Sequence, residues 1–530
     1  MKKDNEKTSL LNRWKNRSKE KSLTNSIEKA PLGIKIPLSH GQKMLWFLQQ
    51  IYPENPFYNY SEKYTFSGDL QEDILIKSLK LVYNDHDILR TTYHIDDNEV
   101  FQKIDNTASL DILTYNLSSL PEVEAKIEAD KIMETCATKH FDLSKSPLVR
   151  IALIKISTKK NILLITLHHI VTDKWSMRIF RDHLASYYKS FSSNENHTNK
   201  RASLQYSDYA YWLETKKTNT KQLDYWKNKL SGEIPNLDLP TDHIRPLKPS
   251  FAGAASYTQI FNQELSNKLL ALSKELETTP YVLMLTVYYL FLYRLSGQTD
   301  ILIGSPVTNR DQKVLEELIG FFNDTIVLRT KILPNMSFKN LVKEVKKNTL
   351  EAFANKDIPF DVLVKELKVK RSLSVNPFFQ AMFLYHSVPE NPFFSDDLKM
   401  SHTWFDSKVS KFDLTIYISE ENGILSSTLE YASDLFNEST INRFQNYFKS
   451  LIEGVVSNPN QSISEIPMLS DADKHIHLNK EKTSSNNFEA YTGIHNIIEN
   501  IAENHPENLA LTFGENSISY KTLNEKANQV

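Results

Sequence analysis

Cysteine is the residue this chain has least of, and glycine is scarce for its length. Cys136 is the one cysteine in 530 residues, so no intramolecular disulfide and no thiolate zinc cluster is available. Twelve glycines leave little material for backbone cradles around phosphates. The sequence holds no G-x-G-x-x-G, no G-x-x-x-x-G-K-S/T, no G-x-S-x-G and no H-E-x-x-H, so nucleotide, serine-hydrolase and zinc-protease chemistries lose their usual carriers. A dominant charge is missing as well. The 63 Lys+Arg against 65 Asp+Glu leave a net −2, and no global field draws nucleic acid or an anionic membrane. The longest apolar stretch, Tyr281 to Leu295, is shorter than the roughly 20 residues a bilayer requires and contains Arg294. It is expected to be a buried helix, with no membrane span. Nothing at the N-terminus reads as a secretory signal, and the expected location is the cytoplasm.

What is present is an ordinary globular composition, 40% hydrophobic, 24% charged and 11% aromatic. The first 35 residues differ from the rest, with ten basic and four acidic side chains. They read either as a solvated tail or as an amphipathic docking element presenting Leu10, Leu11 and Trp14. Beyond Pro37 helical and strand patterns alternate. LQEDILIKSLKLVYNDHDIL and MRIFRDHLASYYKSF carry helical periodicity, whereas NILLITLHHIV reads as a strand, and the class is α/β. Polar stretches near Asn194–Arg201 and Glu481–Asn487 suggest boundaries. The expected organisation is a tail over 1–36, lobes over 37–200 and 201–480, and a linker with the start of a further domain over 481–530. Cys136, in a helical stretch with no base that sequence can place beside it, is expected to be a packing residue.

The informative segment is His168-His169-Ile170-Val171-Thr172-Asp173-Lys174-Trp175-Ser176, directly after an apolar strand. Side chains alternate across a strand, so the two histidines should point to opposite sides, one into a cavity and one into packing or solvent. Asp173 stands where it could cap the following helix or turn inward to a cation. A histidine poised near neutral pH with no covalent nucleophile beside it suits direct acyl transfer between two bound substrates.

These residues resemble the H-H-x-x-x-D-G motif of nonribosomal peptide synthetase condensation domains, and the likeness runs nearly end to end. Ser39-His40-Gly41-Gln42, His86-Asp87-Ile88-Leu89-Arg90-Thr91, Tyr206-Ser207-Asp208-Tyr209-Ala210, Ile319-Gly320-Phe321-Phe322, Pro359-Phe360 and Asn376-Pro377-Phe378 follow the family's motifs in order. Ile518-Ser519-Tyr520-Lys521-Thr522-Leu523-Asn524 is similar to the opening of an adenylation domain, here cut short. The resemblance implies two chloramphenicol-acetyltransferase-like lobes in a V-shaped pseudo-dimer around a central tunnel. By the same carry-over His169 assists the acceptor amine, His168 and Asp173 support it, and Arg90 pairs with Asp173. Lys174, Trp175, Ser176 and Asn323 become tunnel-lining candidates. The implied reaction transfers an acyl or peptidyl group from a carrier-bound phosphopantetheine thioester to a carrier-bound aminoacyl amine. The resemblance implies no metal or nucleotide bound by this chain for that step. The implied partners are a donor carrier arriving in trans and the downstream adenylation and carrier domains.

Three positions depart from the family pattern. Lys174 replaces the glycine after Asp173, and its side chain either points out along the loop or enters the tunnel. Asn323-Asp324-Thr325 stands for Val-Asn-Thr, and Ser372 follows Arg371 where aspartate is common. The paired histidines disfavour a heterocyclising role. The rival reading is a non-catalytic, condensation-like module that recruits a carrier or tailoring enzyme.

Overall fold

The run NILLITL is apolar at every position but two because both faces of its strand are covered. A computed structural model describes residues 26–469, 474 and 493–529, other than 196–199, 217–218, 249, 369–374, 388–393, 396, 407 and 514–515. A five-stranded sheet runs in the order Leu398–Trp404, Asn59–Gly68, Lys160–His168, Val149–Ser157, Ile112–Asn116. Neighbours are antiparallel except the last pair, which is parallel. Leu163, Ile165 and Leu167 share one core with Leu79 of helix Glu72–Asp85 and Phe180 of helix Lys174–Ser192. Ile162 and Leu164 face the other way, onto Ala129 and Met133 of helix Glu122–Thr138. Two-sided burial removes the polar half of the strand alternation.

A seven-stranded sheet builds the second half, in the order Asn323–Lys331, Asp300–Thr308, Ala381–Ser387, Leu414–Glu421, Ile424–Ala432, Gly253–Ala255, with Gln259–Ile260 also on Ile424–Ala432. The expected buried helix is present as Pro280–Ser296. Thr279 caps it, accepting from the Val282 N–H, Pro280 opens its first turn, and Gly297 closes it at φ 70°. Every residue from Val282 to Leu292 is buried. The hydroxyls of Tyr288 and Tyr289 donate to the carbonyls of Leu414 and Leu328, so neither phenol is left unpaired in apolar surroundings. Among the described residues no helix is long and apolar enough to cross a membrane.

The line expected at 200/201 divides the sequence more cleanly than it divides the packing. Leu398–Trp404 lies far along the second half yet adds an edge strand to the first sheet, Met400 opposite Phe66 and His402 opposite Tyr64. Tyr206, Tyr209, Ile319 and Phe322 also pack into the first core. The chain falls into two units, one ending at Met468 and one beginning at Leu469. In the second unit helix Ile494–Asn504 is followed by a hairpin of Leu509–Phe513 and Asn516–Ser519 and by helix Tyr520–Gln529. Leu10, Leu11, Trp14, Arg371, Ser372 and the 481–487 bridge lie outside the described residues. The end of the expected tail already belongs to the fold: Ile27 is buried, the Ala30 N–H donates to Asp208, and Ile36–Pro37 pairs with Glu99–Ile104. Cys136 is buried among Ala129, Met133 and Ile154, and burial raises its thiol pKa.

Candidate functional site

The two histidines do separate into a packed and an accessible residue, but not through strand alternation. The strand stops at His168, and His169 opens a short 3-10 turn over His169–Val171. His168 is 1% exposed. Its Nδ1 accepts from the Ile170 N–H at 3.1 Å and its Nε2 faces Gln49 Oε1 at 3.3 Å. Since the Gln49 amide nitrogen donates to the Pro53 carbonyl, the proton of His168 is on Nε2. Burial lowers its pKa to about 3, helped by His169 and Lys411.

His169 is half-buried and fixed in the opposite tautomer. Its Nδ1 lies 2.7 Å from the Thr172 carbonyl, which can only accept, so Nδ1 carries the hydrogen and Nε2 keeps a free lone pair. The ring lies between Phe321, edge to face at 5.1 Å, and Tyr60 at 5.6 Å. Burial lowers its pKa to about 4, with the Lys411 charge adding to the effect. The result is a neutral imidazole offering an acceptor nitrogen.

Asp173 does both things its position allowed. It caps helix Lys174–Ser192, Oδ1 accepting from the Ser176 N–H at 2.7 Å. It also forms a buried ion pair, though not with the expected Arg90. Arg310 is the partner, with Nη2 3.2 Å from Oδ1, and Phe322 N–H donates to Oδ2 at 3.1 Å. Arg90 is bound instead to Asp87, which Arg201 also grips through two bonds of 2.8 Å. The helical turn Asp87–Arg90 supplies that nearer carboxylate, three residues away.

The four tunnel-lining candidates part company. Ser176 is fully buried; its hydroxyl accepts from the Gly320 N–H at 3.0 Å and from Arg310 at 2.8 Å, leaving it closed in the joint beside Asp173. Trp175 is half-buried, donates to the Glu316 carbonyl at 3.0 Å and carries the Arg178 guanidinium on its ring face at 4.2 Å. Asn323 is half-buried at the start of its strand, next to the Phe322 amide that Asp173 holds. Lys174 is exposed, and its ammonium forms no hydrogen bond or ion pair among the described residues. Partial burial of the ammonium among its neighbours lowers its pKa to about 8, Glu62 opposing the shift and Arg181 adding to it. Its charge also reaches His386, on a strand of the second sheet.

Sequence reasoning left out Arg310, Gln49, Tyr58, Tyr60 and Lys411. No spacing rule ties them to the histidines. Phe321 stood inside a quoted motif and its role came only with the structure. Gly41 explains how it fits: a Cβ there would fall 2.6 Å from Phe321 Cε1. The hydroxyls of Ser39 and Tyr206 meet at 2.9 Å, and Tyr206 donates to the Phe321 carbonyl at 2.6 Å, locking the loop that carries the ring against His169.

Two halves of one chain thus meet at the buried Asp173 beside the histidines, and the family whose pattern the sequence matches is that of the condensation domain. Residues 34–476 match that family, and the chain belongs to it. It is 35% identical over 500 residues to a linear gramicidin synthase of Brevibacillus parabrevis, covering 93% of this chain and 6% of that protein. The match with a plipastatin synthase of Bacillus subtilis is 34% over 501 residues, or 93% of this chain and 19% of that one. The chain thus spans a small part of the curated relatives. Among solved structures, a four-domain nonribosomal peptide synthetase bound to AMP and glycine superposes with a TM-score of 0.75 at 20% identity, over 95% of this chain and 39% of that one.

Proposed function

We propose that this chain is an amide-forming condensation domain of a nonribosomal peptide synthetase that makes an antibiotic-type peptide. The observation that carries the reading is the His169 imidazole, half-exposed and neutral, with Nδ1–H tied to Thr172 and Nε2 free. In the step inferred, the acceptor amine attacks the donor thioester carbon. The C–N bond forms, Nε2 receives a proton from the nitrogen, the C–S bond breaks and the departing sulfur takes that proton. Ser176 is engaged with Gly320 and Arg310 and Cys136 is buried elsewhere, which supports direct transfer without an acyl-enzyme.

The lobes enclose a tunnel open to donor and acceptor carrier arms, and Lys174 projects into it. Support comes from its exposed side chain combined with a lowered pKa, the behaviour of an amine in a walled, wet space. Carrier and adenylation domains are the partners, and residues 494–529 are the first elements of an adenylation domain. The recruitment reading is kept because Lys174 occupies space a glycine would leave open.

The test is intact-mass detection of product on an acceptor carrier loaded with an amino acid. Donor carriers bear peptidyl, polyketide or fatty acyl groups, and His169→Ala runs in parallel. Transfer by the wild type that disappears in His169→Ala supports condensation and identifies the donor class. Equal transfer by both proteins, or carrier binding without transfer from any donor, would favour recruitment.

A further inference from the structure

Lys411 leads into the strand Leu414–Glu421, in the half of the chain opposite the histidines. Its Nζ lies 4.5 Å above the Tyr58 ring, whose centroid is 6.3 Å from that of His168. The side chain is half-buried, and no hydrogen bond or ion pair within 4.0 Å holds the ammonium among the described residues. The carboxylate acting on it is Glu430, which accepts from the Tyr417 hydroxyl at 3.1 Å. The ammonium thus rests on the Tyr58 ring, on the side of His168, with no contacting counter-ion among the described residues.

We propose that Lys411 is a further catalytic residue, its ammonium placed to meet the negative charge that develops on the donor carbonyl oxygen. The inference rests on the amide-forming reading above. When the amine attacks, the carbonyl electron pair moves to oxygen; when the tetrahedral species collapses, the pair returns and the C–S bond breaks. His169 moves the proton, and Lys411 keeps its own throughout. The resting His169 has no hydrogen to donate to that oxygen, since its only N–H is given to Thr172. A preorganised cation in a poorly hydrated site is the kind of group that such charge development favours.

Two consequences follow for pH. The groups facing His169 are Lys411, Asp173 and the Tyr60 ring, and those facing Lys411 are Glu430, His168, His169 and Tyr58. Removing the Lys411 charge takes away one of the two influences that lower the His169 pKa, burial being the larger and remaining, so His169 becomes easier to protonate. Burial brings the Lys411 pKa to about 8, so its contribution should fade as pH rises past that value.

The experiment uses the full chain with loaded donor and acceptor carriers in single turnover, comparing Lys411→Met, Lys411→Gln, Lys411→Arg and His169→Ala. Lys411→Met and Lys411→Gln are expected to slow transfer roughly 10²–10³-fold, the range for loss of one oxyanion partner. The donor-carrier concentration at half-saturation should stay put, and Lys411→Arg should restore most of the rate and lose the alkaline limb near pH 8. Independently of turnover, the His169 titration followed by NMR should move upward in Lys411→Met. Wild-type rates in both neutral variants, an unmoved His169 titration, or a Lys411→Arg protein as slow as Lys411→Met would overturn the proposal. Retained transfer by His169→Ala would instead remove the amide-forming reading on which it stands.

Discussion

The carboxylate of Asp173 and the guanidinium of Arg310 form an ion pair whose side chains are 0% and 1% exposed, although 137 residues separate them in sequence. Arg310 also donates to the carbonyls of Leu315 and Leu318, so one side chain ties the turn after the histidines to the loop that carries Phe321. Removing one member of such a pair leaves a buried charge uncompensated. Arg310→Met is therefore expected to cost about 3–5 kcal/mol in urea unfolding. Arg90→Met should leave Asp173 undisturbed, and equal losses of acyl transfer in the two variants at matched folded fraction would refute this division of roles.

Acid should weaken the fold through the buried histidines. The unfolded chain protonates histidine near 6.5, whereas His168 and His169 in the fold do so only near 3 and 4. Between these limits the unfolded state binds more protons, so stability is complete above about pH 6.5 and declines as pH falls toward 4 and 3. His86, His183 and His386 are lowered as well and share the trend. Urea midpoints measured from pH 7.5 to 4.5 should show His168→Gln less stable at neutral pH and less sensitive to acid. A slope identical to wild type would rule out His168 as a contributor.

Gly41→Ala sets two effects against each other. Alanine is the better helix former by about 1 kcal/mol, but its methyl would lie 2.6 Å from Phe321 Cε1, whose ring stands edge to face with His169. Transfer should fall at least roughly tenfold, since displacement of a catalytic group by about 1 Å can be that costly. Phe321→Leu in the same background should recover part of it. Unchanged kinetics for Gly41→Ala would mean that the ring does not position the imidazole.

Lys174 should react ahead of the other lysines with an amine-directed acylating reagent. With its pKa near 8 it carries far more free amine at pH 8 than a lysine near 10.4, and it is exposed. Peptide mapping after brief labelling should find Lys174 among the first sites, with protection when a loaded donor carrier is present. Labelling at the rate of ordinary surface lysines would contradict the walled setting.

Much of this was legible along the chain. The unbroken apolar run over 281–295 marked the buried helix, found over 280–296, and the apolar segment 161–171 marked a strand, whose pairing stops at His168 because His169 opens a turn; continuous burial and strand packing leave local traces in residue order. Ordered motifs pointed to the family, and the position of Asp173 allowed both its cap and its inward ion pair. The identity of the partner was another matter. Arg90 and Arg310 are indistinguishable in sequence; the turn Asp87–Arg90 supplies a carboxylate three residues away, while the strand Asp300–Thr308 delivers Arg310 to the seam. Ser176 looked like a tunnel residue until helix capping turned it into the joint. Leu398–Trp404, Lys411 and Phe321 reach the first half of the molecule through pairing and packing across long sequence separations. Local periodicity records which residues are buried, but only the assembled sheets decide which buried residues meet.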